Sequence, residues 1–184
     1  MTLRSLILAA AFALTASLSS GSPSLAQNAT GASGQPYLKE THGTWQVQCL
    51  LIETGGERCQ LYQQLNASPG NPVGEINVFP LPSGQGAPAG AVIIVPLETL
   101  LTSELDFEIS GIENKRYPFA WCSNVGCVAR IAITSEELGA MKLSTLATIT
   151  ITSIRAPKTP LKLTVSLQGF TAGFNAMQAA NPPG

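Results

Sequence analysis

The chain has 184 residues, of which 45% are hydrophobic and 11% are charged, and its formal net charge is -1 at pH 7. This composition excludes a disordered chain, a collagen-like chain, a coiled coil and a repeat array. The near-zero net charge argues against a nucleic-acid partner. The only histidine is His42 and the only aspartate is Asp106, so a site built from two histidines or two aspartates is also excluded.

The first 26 residues have the three parts of a secretory signal peptide. Met1–Arg4 supplies a basic start, Leu6–Leu18 is an apolar run, and Ser24–Ala26 places small residues three and one positions before a cut. Serine, glycine and proline end the apolar run before it reaches the roughly 18 residues that a membrane-spanning helix needs. We therefore predict cleavage after Ala26, export of the mature chain, and no integral membrane span in it.

The rest of the chain is long enough for one domain with one core. A polar lead over residues 27–42 is expected to be a flexible amino-terminal segment. A single disulfide-containing domain is predicted over residues 43–178, and residues 179–184 are expected to form a carboxyl-terminal tail.

Alternating apolar and polar residues, the pattern of half-buried strands, dominate the predicted domain. The clearest strand signals lie around residues 45–49, 59–62, 76–78, 92–95, 105–109, 127–133, 149–151 and 161–167. Helical signals are a capping box from Thr134 to Glu137 and the spacing of Phe170, Phe174 and Met177. We therefore predict an all-β, mainly antiparallel fold: a two-sheet β-sandwich of roughly eight strands with one or two short accessory helices.

The four cysteines are expected to be oxidised, because an exported chain meets an oxidising compartment. Cys49 and Cys59 lie nearly opposite each other in a predicted hairpin over residues 44–64, and Cys122 and Cys127 can close a small loop. Each local bridge would stabilise the fold by roughly 2–3 kcal/mol, against more than about 4 kcal/mol for a long-range bridge. Neighbouring thiols nevertheless meet first, because short loops lose less entropy on closing. We therefore predict Cys49 paired with Cys59 and Cys122 paired with Cys127.

The sequence offers few groups for catalysis. The cysteine spacings differ from those of zinc motifs and of thioredoxin-like dithiols. A nucleophile elbow, a phosphate loop and a dinucleotide fingerprint are all missing from the sequence. We therefore predict no catalytic residue, no metal site and no cofactor. The alternatives are a periplasmic hydrolase or thiol oxidoreductase that uses His42 or one cysteine pair, and a carrier that holds a small ligand between its sheets.

Aromatic side chains supply the candidate binding surface. Trp45 and Phe170 follow the inward-facing periodicity that is typical of core residues. Tyr117, Phe119 and Trp121 lie next to the small cysteine loop, and we predict them as contact residues for a protein partner.

Four pieces of sequence, spread over about residues 45–174, form a specific combination. They are Trp45–Cys49 followed by Cys59, Ile94–Leu97, Pro118–Cys122 followed by Gly126–Ala129, and Ser166–Thr171. In this combination the chain resembles the invasion-associated locus B family of bacterial envelope proteins. The resemblance implies an exported, disulfide-containing β-sandwich in a Gram-negative envelope. It also implies a link, in some pathogens, to entry into host cells, and no agreed enzymatic activity.

The chain departs from the family pattern at two steps. Where the family commonly has glycine, this chain has Glu98 after a Pro-Leu pair and Ser103–Glu104 before the next strand, so the turn is expected to differ. The residues and the resemblance together predict an exported, non-catalytic protein that acts through its surface. Its partner would be an unidentified envelope protein or, in a pathogen, a host-cell surface protein.

Overall fold

The structure is a computed structural model that describes residues 34–53, 55–67 and 70–181. The predicted signal peptide, residues 1–26, lies outside the described residues. The strands are β1 (Pro36–His42), β2 (Trp45–Leu51), β3 (Glu57–Ala67), β4 (Asn71–Pro80), β5 (Ala89–Val95), β6 (Leu105–Ile109), β7 (Lys115–Tyr117), β8 (Phe119–Ser123), β9 (Gly126–Ile133), β10 (Leu146–Ser153) and β11 (Ala156–Ser166). The helices are α1 (Ser135–Leu143) and α2 (Phe170–Ala180), and a 3-10 turn spans Leu101–Ser103.

The described strands form one hydrogen-bonded antiparallel sheet. Its main path is β7-β6-β10-β11-β3-β4-β5-β9-β8, and β1 and β2 form a hairpin that pairs with β3. The two outer strands of the path, β7 and β8, are separated in the chain only by Pro118, so the sheet curls until its ends are close together. A nearly closed, barrel-like sheet results.

The structure confirms the predicted mainly antiparallel β fold with short helices. The prediction of two sheets and roughly eight strands needs correction to one curled sheet of eleven strands. The alternation of apolar and polar residues indicates which face of a sheet a side chain occupies. It carries no information on how strongly the sheet bends, which strand tilt and register decide.

The centre of the core lies where α2 packs against β2 and β3. Trp45, Phe170 and Phe174 are fully buried there. The Trp45 and Phe170 ring centroids lie 5.2 Å apart in an edge-to-face arrangement, and those of Phe170 and Phe174 lie 5.7 Å apart. Aromatic pairs of this geometry add to the stabilisation from burial alone. The inward orientation predicted for Trp45 and Phe170 is therefore observed.

Helix α1 begins at the predicted capping box. The Glu137 backbone N–H donates to the Thr134 hydroxyl oxygen at 3.2 Å, and the Glu137 carboxylate accepts from the Thr134 backbone N–H at 2.7 Å. The same carboxylate is buried and accepts from the Tyr117 hydroxyl at 2.8 Å and from the Lys115 ammonium at 3.0 Å. Glu137 therefore ties α1 to β7.

The ordered domain extends beyond both of its predicted ends. Pro36–His42 was expected to be flexible, but it forms β1; most of its side chains are exposed, so no apolar alternation marks the strand. At the other end, α2 runs to Ala180, inside the predicted tail. The Asn181 amide then pairs with the backbone of Cys59, through two hydrogen bonds of 2.9 Å. These contacts attach the start of the predicted tail to β3.

Two glutamates adopt backbone conformations that favour glycine. Glu98 has a φ of 71° and Glu104 a φ of 57°. Both occupy the steps at which the family resemblance leads us to expect glycine. Glu98 and Glu104 therefore keep the left-handed backbone that glycine would adopt at these positions. The chain differs from the expected glycines in its side chains and not in its backbone conformation.

Replacing Glu104 with glycine is expected to stabilise the protein. At Glu104 a φ of 57° combines with a ψ of 171°, a region that is almost restricted to glycine and costs other residues about 1–3 kcal/mol. After the extra chain entropy of glycine is subtracted, we expect Glu104→Gly to raise the free energy of unfolding by about 1 kcal/mol. Urea unfolding measures it, with Glu108→Gly on β6 as the matched control. A loss of stability in both variants would contradict the strain at Glu104.

Candidate functional site

The three predicted contact residues lie where the sheet closes, on β7 and β8. Tyr117 and Phe119 are half-buried and pack against the core, whereas Trp121 is 49% exposed. A register shift in β8 between Phe119 and Trp121 separates these two rings: Phe119 is opposite Ala129 on β9, and Trp121 is opposite Val128. Trp121 is therefore the most exposed of the three predicted contact residues.

The Tyr117 hydroxyl is engaged in the fold. Burial and the hydrogen bond to Glu137 raise the pKa of Tyr117 well above its usual value. The phenol therefore stays protonated at neutral pH and acts as a donor to the Glu137 carboxylate. A direct partner contact by Tyr117 or Phe119 stays a prediction.

Trp121 has an exposed apolar neighbour in the loop that the second disulfide closes. Val125 lies at the tip of this loop and is 70% exposed. The next residue, Gly126, packs so closely that a Cβ atom there would overlap the backbone carbonyl of Val95. The loop tip therefore lies beside the end of β5.

Further exposed apolar residues lie on the segments that follow β5 and β10. Leu97 is 52% exposed and Ile154 is 54% exposed. The Ile154 backbone N–H donates to the Glu98 carbonyl at 2.8 Å, which brings these two segments together. We define the apolar end of the molecule as Leu97, Trp121, Val125 and Ile154.

Both predicted cysteine pairs are bonded in the structure. Cys49–Cys59 is buried and joins residues that face each other on β2 and β3. Cys122–Cys127 links β8 to β9, with Cys122 exposed and Cys127 buried. Glu57 has a carboxylate oxygen within 4.8 Å of both sulfurs of the first pair. Those sulfurs are joined in a disulfide and cannot act as thiolate ligands for a metal.

His42 is positioned by an acidic neighbour. Its Nε2 atom lies 2.9 Å from an Oε2 atom of Glu40, on the same strand. Within the described residues this carboxylate is its side-chain hydrogen-bonding partner, and no hydroxyl or thiol lies at bonding distance from the ring. The arrangement lacks the nucleophile-to-base contact that a catalytic triad requires.

A groove on the outer face of the sheet was missed by the sequence analysis. Strand β3 pairs with β2 as far as Tyr62, and Asn66 and Ala67 pair with β11. Between these two pairings the sheet opens into a groove of about 600 Å³. This polar groove is lined by Thr44, Gln46, Gln48, Tyr62, Gln63, Gln64, Asn66, Thr164 and Ser166, all of them uncharged.

Gln63 forms the floor of the polar groove and is 4% exposed. Its amide nitrogen donates to the Ser166 carbonyl at 2.8 Å and to the Thr44 hydroxyl at 2.9 Å, and its amide oxygen accepts from the Ser166 backbone N–H at 2.9 Å. The side chain thus replaces a backbone pair between β3 and β11. A sequence signal existed: Gln63 is a polar residue in the inward series that includes Leu61 and Leu65.

Removing the Gln63 amide is expected to destabilise the sheet. In Gln63→Leu the N–H of the half-buried Ser166 loses its acceptor, and we expect the free energy of unfolding to fall by about 1–3 kcal/mol. Urea unfolding measures the effect. Gln64→Leu, at an exposed neighbouring position, is the matched control and should change stability by less than about 0.5 kcal/mol. Equal losses in the two variants would show that the floor contacts do not support the sheet.

Neither of the described helices, α1 and α2, is both long enough and apolar enough to cross a bilayer.

The chain matches the model of a known protein family over most of its length. The model of the family described as Invasion associated locus B (IalB) protein matches residues 45–178. The chain belongs to the IalB family. The resemblance inferred from the sequence is therefore confirmed, and the matched range includes both disulfides, Trp121 and Gln63.

Individual relatives agree with the family assignment. Proteins described as Invasion protein B homologs in two Brucella abortus strains, 2308 and biovar 1 strain 9-941, are each 25% identical to this chain over 176 residues. Each match covers 96% of this chain and 96% of the relative. The crystal structure of invasion associated protein B from Bartonella henselae superposes with a TM-score of 0.66 at 22% identity, and the match covers 79% of this chain and 97% of the other. The last comparison shows a shared fold.

Proposed function

We propose that this IalB-family protein is an exported, non-catalytic component of the periplasm or cell envelope that binds another envelope protein through its apolar end. The observation that carries the proposal is the exposure of Trp121, at 49%, on the same hairpin as Val125, which is 70% exposed. Clustered exposed apolar side chains favour a protein contact, and tryptophan is a frequent anchor of such contacts. Proteins related to this chain are named as invasion proteins, which supports a binding role over a catalytic one.

The apolar end has the features of a preorganised contact surface. The Cys122–Cys127 disulfide restrains the loop that carries Val125, so less conformational entropy is lost on binding. An exposed ion pair between Glu98 and Arg155 lies beside Ile154 and would supply the polar rim that protein interfaces have. We propose an envelope protein with an apolar patch as the partner.

Export is supported by observations that are independent of the apolar end. Two disulfides in a chain of this size favour an oxidising compartment. The predicted signal peptide would be removed after Ala26. Intact mass measurement of the protein recovered from the periplasm should give a chain that begins at Gln27; recovery of the uncleaved chain from the cytoplasm would contradict export.

The contact surface is tested by capture from detergent-solubilised envelopes with the purified protein as bait. We expect a specific protein to be retained by the wild type and lost with Trp121→Ala. The matched control is Leu143→Ser, which removes a side chain that is 90% exposed on α1, outside the apolar end. Retention by Trp121→Ala, or the absence of any specific envelope protein, would contradict the proposal. If a specific partner were found only in host-cell membranes, the proposed partner would be a host-surface protein instead of an envelope protein.

A further inference from the structure

We propose that the polar groove is a binding site for a neutral oligosaccharide. The groove is separate from the apolar end and lies on the outer face of β2, β3 and β11. Its volume of about 600 Å³ is within the range of about 300–1,000 Å³ that is typical of small-molecule sites. It opens to solvent, so a bound ligand would stay partly hydrated, as suits a chain of sugars.

The groove carries groups that can both donate and accept hydrogen bonds. Its side-chain amides lie on neighbouring strands, because Gln46 on β2 is paired with Tyr62 on β3 and Gln48 with Gln60. The Gln48 amide donates to the Gln46 amide oxygen at 3.0 Å, which aligns the two side chains along the strand. Adjacent hydroxyls of a sugar each need a donor and an acceptor, and amides offer both.

Tyr62 supplies an apolar surface in the middle of these amides. It is half-buried on the outer face, between Gln46 on β2 and Asn77 on β4. Aromatic rings present an apolar face and, in tyrosine, a polar edge, and a pyranose ring likewise has an apolar C–H face and a polar edge. Burial and the nearby Glu75 carboxylate raise the pKa of Tyr62, so its hydroxyl stays protonated at neutral pH.

The groove is held in shape before any ligand arrives. Gln63 locks the floor to β11 through Ser166. Beside it, the Gln60 amide donates to the Asn77 side-chain oxygen at 2.9 Å, and the Asn77 amide donates to Glu75 at 3.2 Å. Preorganised polar groups lose little entropy on binding, which favours recognition of a weakly interacting, hydrated ligand.

Other ligand classes fit the groove less well. Among the described residues, the lining offers no cation to an anionic ligand, and Glu75 on the adjoining strand would repel such a ligand. A peptide would find no aliphatic pocket among the described lining residues, of which only Tyr62 has a large apolar group. A neutral, hydroxyl-rich ligand satisfies both the charge and the chemistry of the lining.

The experiment titrates the full-length protein with chitotetraose and, separately, with maltotetraose. The protein is purified after expression of the whole chain, and binding is measured by calorimetry and by changes in amide NMR shifts. We expect saturable binding of at least one of these neutral probes, with shift changes on β2, β3 and β11. Tyr62→Ala should weaken binding at least about tenfold, equivalent to about 1.4 kcal/mol. A response to chitotetraose alone supports an N-acetylated glycan, and a response to maltotetraose alone supports a plain hexose glycan.

Two control variants separate this site from other effects. Gln178→Ala removes an exposed glutamine of α2 outside the groove, and Trp121→Ala removes the anchor of the apolar end; both should bind the probes like the wild type. Gln64→Ala, at an exposed groove position, tests the amides without disturbing the core. The proposal would be overturned if neither probe gave saturable binding, or if the shift changes lay elsewhere on the protein. It would also be overturned if Tyr62→Ala and Gln64→Ala both bound the probes with the affinity of the wild type. Loss of probe binding in Trp121→Ala would also overturn it, whereas failure to capture an envelope protein bears only on the apolar end.

Discussion

Gly169→Ala is expected to lower the free energy of unfolding by about 4 kcal/mol, the largest effect predicted for this protein. Gly169 precedes α2 with a φ of 86°, a conformation that costs an L-residue about 1–2 kcal/mol. A Cβ atom there would also overlap the His42 carbonyl and lie 2.8 Å from the Gly43 backbone nitrogen. These atoms belong to the backbone of the β1–β2 turn, so they cannot move aside unless the whole hairpin moves away from α2.

A second glycine separates the two contributions to this loss. Gly111 has a φ of 90°, close to that of Gly169, but among the described residues no atom beyond its own chain neighbours lies within 4 Å of its hypothetical Cβ. We therefore expect Gly111→Ala to lower the free energy of unfolding by only about 1–2 kcal/mol, the cost of placing an L-residue in the left-handed conformation. Urea or thermal unfolding of both variants measures the difference. Equal destabilisation would show that the approach of the hairpin to α2 is not what requires Gly169.

Glu137→Ala is expected to reduce the free energy of unfolding by about 3 kcal/mol. The side chain is only 2% exposed and serves four donors, so its removal strands the Thr134 backbone N–H and the Tyr117 hydroxyl. The substitution also breaks the side-chain link between α1 and β7, at the point where the sheet closes. Denaturant unfolding measures the loss, and Glu136→Ala, on the exposed face of the same turn, is the matched control. A loss no larger than that of the control would contradict the structural role of Glu137.

The contribution of Glu137 should depend on pH. Burial by itself raises the pKa of this carboxyl, but hydrogen bonds from the Thr134 backbone and from Tyr117, Thr134 and Lys115 side chains outweigh burial and hold the pKa below its usual value of 4.5. The folded state therefore binds the proton less readily than the unfolded state. Its stabilisation is complete above the unfolded-state pKa and is lost as the pH falls through the lower folded-state pKa.

An isosteric variant makes this pH dependence measurable. The stability difference between the wild type and Glu137→Gln should be largest at neutral pH and should shrink between about pH 4.5 and lower values. Urea midpoints at a series of pH values give this difference. A gap that stays constant or widens on acidification would mean that the Glu137 carboxylate is not stabilised in the folded state.

Features that depend on short stretches of chain could be predicted from the sequence. Cys49 and Cys59 belong to one hairpin, so its register brings them together without knowledge of any other strand. The Thr134–Glu137 capping box is likewise a local motif, and its hydrogen bonds form within four residues. Helix α2 could be recognised from the spacing of Phe170 and Phe174 because a helix repeats every 3.6 residues.

Features that depend on how distant strands meet could not be predicted. The polar groove exists because β3 exchanges β2 for β11 after Tyr62, and pairing between distant segments leaves no periodic signal in either one. The different environments of Phe119 and Trp121 have a similar origin. They are two residues apart and would share a face in a regular strand, but the register shift in β8 changes how the second ring is placed.

The meeting of the first hairpin with the last helix constrains the order in which the chain can fold. Trp45 leaves the ribosome early, yet its indole N–H donates to Ser166 and its ring packs against Phe170. Ser166 lies 121 residues after Trp45 in the chain, and Phe170 follows it at the start of α2. The interior cannot close until the carboxyl-terminal helix has emerged, and such contacts between distant segments form slowly. A nascent chain that ends before α2 therefore lacks the aromatic packing and the Trp45 hydrogen bond that close its interior.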